Sequence, residues 1–262
     1  MCPFMLHHDP TTQALAVRGL CKAFDGAVAV NDIDLDIPRG SIYGIVGPNG
    51  AGKTTMISMA AGLLRPDRGD TWVAGYHTWE QPLEMKRAMG LLADGVPVFD
   101  RLSAPELLSY VGGLRGMDAA VVEERSRELL AALGLEEAGD KRVVDYSAGM
   151  TKKILLALAL LHNPAVLILD EPLEAVDPVS GRTIQNLLRS YAAAGGTVVI
   201  SSHVMELVEG LCTHVAIINK GHVQVSGPVE EVRGGRSLSD AFVEAVGGAY
   251  SGDSLDWLGG ER

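Results

Sequence analysis

Gly47-Pro48-Asn49-Gly50-Ala51-Gly52-Lys53-Thr54-Thr55 matches the phosphate-binding pattern G-x-x-x-x-G-K-[ST] at every specified position. Residues 41–46 before it are mostly apolar and read as a buried strand, and residues 54–64 after it read as a helix. Strand, glycine-rich loop and helix in that order are the context the pattern requires. The glycines let the chain turn tightly and aim backbone N–H groups at phosphate oxygens. The helix start adds partial positive charge at the same point. Lys53 is placed to reach the β- and γ-phosphates, and the Thr54 hydroxyl to ligate Mg²⁺. An ordinary strand–helix turn has no need of a lysine and a hydroxyl at fixed offsets. The loop alone leaves the class of nucleotide protein open, because kinases, GTPases, helicases and transporter motors share it.

A phosphate loop needs an acidic partner for the metal. Residues 165–169 are apolar and end on Asp170-Glu171, at the carboxyl end of a strand, where ligands of such sheets collect. Asp170 is expected to hold Mg²⁺. Side chains alternate along an extended chain, so Glu171 is expected to face the γ-phosphate and polarise a water. His203 follows the apolar run 197–202 and sits just beyond another strand end. It is expected to touch the γ-phosphate and hold the water and Glu171 in register. His7, His8, His77 and His222 read as surface residues, and His162 and His214 as packing residues.

The chain has 262 residues, 47% of them hydrophobic, and a formal net charge of -11. That length suits one large domain or a domain with a substantial insert. The acidic balance argues against a nucleic-acid partner, which normally meets a basic face. Cys2, Cys21 and Cys212 are scattered, suit no metal spacing and read as reduced thiols. The first ten residues lack the pattern of a secretory signal. Residues 154–161 and 165–169 are apolar but interrupted at His162-Asn163-Pro164. Neither run reaches the roughly 20 residues that span a bilayer.

Residues 15–37 read as strands around a turn at Asp25-Gly26, and 69–74 as another strand. Residues 104–159 carry apolar side chains at helical spacing, with one helix at 121–133. Three apolar strands follow, at 165–169, 197–201 and 215–218, separated by helices at 180–194 and 203–212. Strands without polar alternation suit a parallel sheet covered on both faces. The alternating order predicts a doubly wound α/β sheet. A short amphipathic piece at 238–246 precedes a Gly- and Ser-rich end, expected to be poorly ordered from Gly247 onward.

Tyr146-Ser147-Ala148-Gly149-Met150 opens the apolar helix upstream of the Asp170 strand. With the loop at Gly47, the pair Asp170-Glu171 and His203, this order resembles the ATPase subunit of an ABC transporter. The form Tyr-Ser-x-Gly-Met is most similar to the ABC-2 type, which serves exporters. The resemblance covers roughly residues 15–232. It implies a P-loop NTPase core with a mainly parallel sheet, an N-terminal antiparallel β part and a helical insert. The core would run over 13–93 and 163–235, the insert over 94–162, and a partly disordered tail over 236–262.

The same resemblance implies ATP and Mg²⁺ as ligands, two ATP being sandwiched between two chains. Gly47, Pro48, Asn49, Gly50, Ala51, Gly52, Lys53, Thr54 and Thr55 would hold the phosphates. Ser147 and Gly149 would close on the γ-phosphate in trans, since a helix start with a small hydroxyl and a glycine is an anion site. Phe24 would stack on adenine, Asp177 would link the two sites across the dimer, and Asp94 would contact Mg²⁺. The partners implied are a second ATPase subunit and integral membrane permease subunits, with the chain peripheral on the cytoplasmic face and soluble when isolated. Three positions depart from the family pattern: Asp94 in place of Gln or Glu, Met150 in place of Gln, and Glu174 in place of Ser or Asn. They suggest a weakly hydrolysing nucleotide-dependent regulator as one alternative; a soluble ABC-type ATPase not coupled to transport is the other.

Overall fold

The computed structural model describes residues 9, 12–93 and 98–247. β1 (Gln13–Phe24) and β2 (Ala27–Pro38) form an antiparallel hairpin. Its two-residue turn has Asp25 at φ 47° and Gly26 at φ 83°, the positive angles that let a tight turn follow the strands' right-handed twist. β4 (Arg68–Val73) pairs with β1, and β5 (Tyr76–His77) with β4, both antiparallel. These four strands make the first sheet, in the order β2-β1-β4-β5.

The second sheet holds β3 (Ile42–Val46), β6 (Met89–Leu92), β7 (Val166–Leu169), β8 (Thr197–Ser202), β9 (His214–Asn219) and β10 (His222–Pro228). Their order is β10-β9-β3-β8-β7-β6. All neighbours run parallel except β9 and β10. The central strands bury both faces. Ile42, Val46, Leu167, Leu169, Val198 and Ile200 enter one core, while Tyr43, Ile45, Val166, Ile168 and Val199 enter the other. This period of two explains why the strands show no polar alternation in sequence.

α1 (Lys53–Ala60) and α2 (Pro82–Ala88) lie on the side of the second core, as do β1 and β2. α3 (Ala104–Leu114), α4 (Ala119–Ala132), α5 (Ala148–Leu160), α6 (Pro178–Ala193) and α7 (Met205–Leu211) pack on the other. α5 touches α3 and α4 and also β6 and α6, so the last helix of the expected insert is shared with the sheet. α8 (Val229–Arg233) and α9 (Leu238–Val246) close the described chain. The amphipathic piece at 238–246 is therefore a helix, and the rest of the expected tail, 248–262, lies outside the described residues.

α1 ends four residues before the sequence reading placed its end. Gly62 adopts φ 71°, and the Gly62 and Leu63 amides turn back to the Met59 and Ser58 carbonyls. This is the bond pattern of a glycine-stopped helix. The surface reading of His77 is also corrected. Its side chain is mostly buried, 3.0 Å from Asp70, and its Nδ1 accepts from the Trp79 and Glu80 amides.

Candidate nucleotide site

The loop after β3 sits where only glycine fits at two points. A Cβ on Gly47 would lie 2.3 Å from the Ile218 carbonyl oxygen, and one on Gly52 2.4 Å from that of Ala29. Gly52 also adopts φ 104° as it starts α1, an angle that L residues avoid. Lys53 is buried, and its Nζ donates to the Gly47 carbonyl at 2.8 Å and to that of Pro48 at 3.4 Å. Loop and lysine face a cavity of about 500 Å³. Phe24, Asn49, Gly50, Ala51, Gly52, Lys53, Thr54, Thr55, Asp170, Glu171 and His203 all line it. Phe24 is 46% exposed at the rim, with the Lys22 ammonium 5.7 Å from its ring centre.

Parallel strands bring the acidic pair to this cavity. Leu169 of β7 pairs with Ile200 of β8, which sets Asp170 beside Ser201. Asp170 is 1% exposed and accepts from the Ser201 hydroxyl at 2.5 Å. The Glu171 amide donates to the same hydroxyl at 2.8 Å. Ser201 is thus a site residue that sequence reasoning missed. Its signal was a hydroxyl inside an apolar strand, at the register position opposite the acidic pair.

Glu171 reaches the cavity by a different route from the one expected. It does not continue the strand but turns into left-handed backbone at φ 46°, uncommon for a residue with a Cβ. The Ser201 hydroxyl holds its amide, and Lys152 Nζ and the Glu174 amide hold its carbonyl at 3.1 and 3.3 Å. So placed, its carboxylate stands 3.1 Å from His203 Nδ1 and 3.9 Å from Lys53 Nζ. His203 precedes α7 rather than opening it, which leaves its ring at the cavity wall.

Ser147, Gly149 and Asp177 form a second group that does not line this cavity. Ser147 caps α5, accepting from the Met150 amide at 3.3 Å. Asp177 caps α6 through the Val179 and Ser180 amides, both at 3.0 Å. The bond from the Ser180 amide, then the other bonds to its carboxylate, hold that group below the usual carboxylate range. A Cβ on Gly149 would meet Asp177 Oδ2 at 3.0 Å and Ser180 Oγ at 3.1 Å. The two helix starts are packed together by that glycine. Asp94 lies outside the described residues.

The family model of the ABC transporter matches residues 30–174, a span from β2 to just past Glu171. The chain belongs to the ABC transporter family. The daunorubicin/doxorubicin resistance ATP-binding protein DrrA of Streptomyces peucetius is 35% identical over 85% of this chain and 67% of its own. The ABC transporter ATP-binding protein NatA of Bacillus subtilis is 37% identical over 78% of this chain and 83% of its own. Among solved structures, an ATP binding subunit of an ABC transporter superposes with a TM-score of 0.82 at 26% identity, covering 88% of this chain and 99% of that one. The fold described above is the α/β P-loop NTPase fold of an ABC ATPase domain. The chain is an ATP-binding subunit of an ABC transporter, and ATP hydrolysis coupled to transport is its reaction.

The residues at the cavity suit Mg²⁺. Asp170 is a buried carboxylate that no cation pairs within 4.0 Å among the described residues. Such a charge is costly unless something neutralises it. The Thr54 hydroxyl lines the same cavity, and hard oxygen donors with room for phosphate oxygens are what Mg²⁺ takes.

Proposed function

We propose that this ATPase works as a dimer beneath a separate membrane permease and drives export, with Glu171 as the base and His203 as its positioning partner. The observation that carries the reading is the Glu171 carboxylate, 3.1 Å from His203 and 3.9 Å from Lys53, on the wall of the phosphate-loop cavity. Thr54 and Asp170 would hold Mg²⁺. Bound there, the ion would neutralise charge on the β- and γ-phosphates. Lys53 would exchange its two loop carbonyls for phosphate oxygens, a stronger, charge-assisted contact. Glu171 would orient and deprotonate a water in line with the γ-phosphate, and His203 would keep the carboxylate turned toward it. Phe24 would stack on adenine at the rim. Ser147 and Gly149, away from the cavity of their own chain, would close on the nucleotide of the second chain, with Asp177 beside them.

No helix among the described residues is long and apolar enough to cross a membrane, so attachment would come through the permease. A groove of about 400 Å³ between the end of α1, α2, β6 and α3 suits that contact. Leu63 and Leu114 line it, 53% and 68% exposed, with Lys86 and Arg115 at its rim; Leu83, 67% exposed, and Arg87 line an adjoining pocket that shares Lys86, Leu114 and Arg115. In a chain of net charge -11, this basic rim fits a permease segment that is apolar on one side and acidic on the other. Resistance to daunorubicin and doxorubicin, in the name of the Streptomyces relative, favours export. The deciding experiment is phosphate release from MgATP by Glu171→Gln. Retained ATP binding with turnover lost at least a hundredfold supports Glu171 as the base; parental turnover rejects it.

A further inference from the structure

Glu174 is an exposed residue in the turn between Glu171 and Asp177. It lines the nucleotide cavity with Lys53, Asp170, Glu171 and His203. It also lines a neighbouring cavity of about 420 Å³ with Asp177 and His203, and so stands on the ridge between the two. The nucleotide cavity therefore carries one lysine against three carboxylates. Asp170 and Glu171 each have a task there. Glu174 has no such task, and among the described residues no ion pair or side-chain hydrogen bond engages its carboxylate. Its backbone is not free to swing away. The Glu174 amide donates to the Glu171 carbonyl, and the following Ala175 is left-handed at φ 56°.

The third carboxylate lies on the side of the cavity that holds Glu171 and His203, the side where a γ-phosphate would end. We propose that Glu174 is a specificity-determining residue of the nucleotide site, whose charge weakens binding of the triphosphate relative to the diphosphate. A triphosphate brings its terminal negative charge toward Glu174, and a diphosphate lacks it. Both groups are hydrated, so the repulsion acts in high dielectric and is modest. The effect lowers occupancy of the open site by ATP, and the chain closes with a partner only at higher ATP. This inference rests on the ATP reading of the cavity.

The test is calorimetric titration with MgADP and with the Mg²⁺ complex of the non-hydrolysable β,γ-imido analogue of ATP. The parent chain is compared with Glu174→Gln, which keeps the shape, and Glu174→Asp, which keeps the charge. Glu174→Gln is expected to bind the triphosphate analogue about threefold to tenfold tighter and MgADP less than about twofold tighter. The gain should shrink near 1 M salt, where the screening length falls to about 3 Å. Glu174→Asp should keep the parental preference. Equal tightening of both nucleotides, or no change in either, overturns the proposal. A parent chain that binds neither nucleotide, indistinguishable from Lys53→Ala, overturns the ATP reading beneath it.

Discussion

The Ser201 hydroxyl donates to the Asp170 carboxylate at 2.5 Å while accepting the Glu171 amide at 2.8 Å. One side chain thus fixes both members of the acidic pair. Ser201→Ala leaves a buried carboxylate and an amide without partners, at a cost of about 1–3 kcal/mol. Urea unfolding should show that loss. Turnover should fall more than ATP affinity, because Lys53 and the loop remain. Ser201→Thr should recover part of both. A variant with parental stability and kcat would mean that solvent replaces the hydroxyl.

The proposed sharing of sites between chains predicts complementation. Lys53→Ala damages the phosphate loop, and Ser147→Arg damages the helix start expected to face the other chain. Neither variant alone should hydrolyse ATP. In a mixture, the intact Lys53 of one chain can meet the intact Ser147 of the other. Phosphate release should then reappear. A mixture as inactive as its parts would put the whole site within one chain.

His162 predicts a loss of stability in mild acid. Its Nε2 donates to the Met89 carbonyl at 3.0 Å, while its buried Nδ1 has no partner. It is therefore only half satisfied as a packing residue. Burial, then the nearby Arg115, push its pKa down to about 4. The folded state favours the neutral ring, so above the ordinary pKa of 6.5 the residue has no pH effect. As pH falls from there toward 4, the unfolded chain takes up a proton that the folded chain refuses, and stability drops. Urea midpoints between pH 7 and pH 4 should slope less in His162→Gln than in the parent. Equal slopes would assign the acid sensitivity elsewhere.

The groove predicts a separation of catalysis from attachment. Leu114→Glu places a charge in the groove, at a residue that does not line the nucleotide cavity. Lys86→Glu reverses one side of the rim. Both variants should hydrolyse ATP in isolation at rates within about twofold of the parent, since surface changes of this kind rarely disturb the fold. Co-purification with the permease should fall sharply. Retained co-purification in the double variant would move the docking site off this face.

Much of this site is written in local sequence. The phosphate loop is contiguous, and its glycines answer to nearby backbone at Ile218 and Ala29. Asp170 was readable because an apolar strand leads straight into it. Ser201 was not, because its role exists only once β7 and β8 align in register. The turn at Glu171 was missed for a related reason. Alternation assumes extended backbone, and the left-handed angle is imposed by bonds to Ser201 and Lys152 from elsewhere in the chain. His77 read as a surface residue because neither Asp70 nor the turn it caps is visible as a partner in a string of letters. Gly149 was read as an anion contact. Its tight packing against Asp177 and Ser180 adds a reason for its size within one chain.

Lys152 lies on α5, the helix that begins at Ser147 and is packed on one side against α3 and α4. Its ammonium grips the carbonyl of Glu171. α5 therefore joins the helix start at Ser147, proposed to face the other chain, to the peptide of Glu171, the proposed base. A tilt of α3 and α4 would reach that one peptide group through α5. Under the proposed role of Glu171, bond cleavage would then depend on the seating of a helix whose far side is packed against α3 and α4.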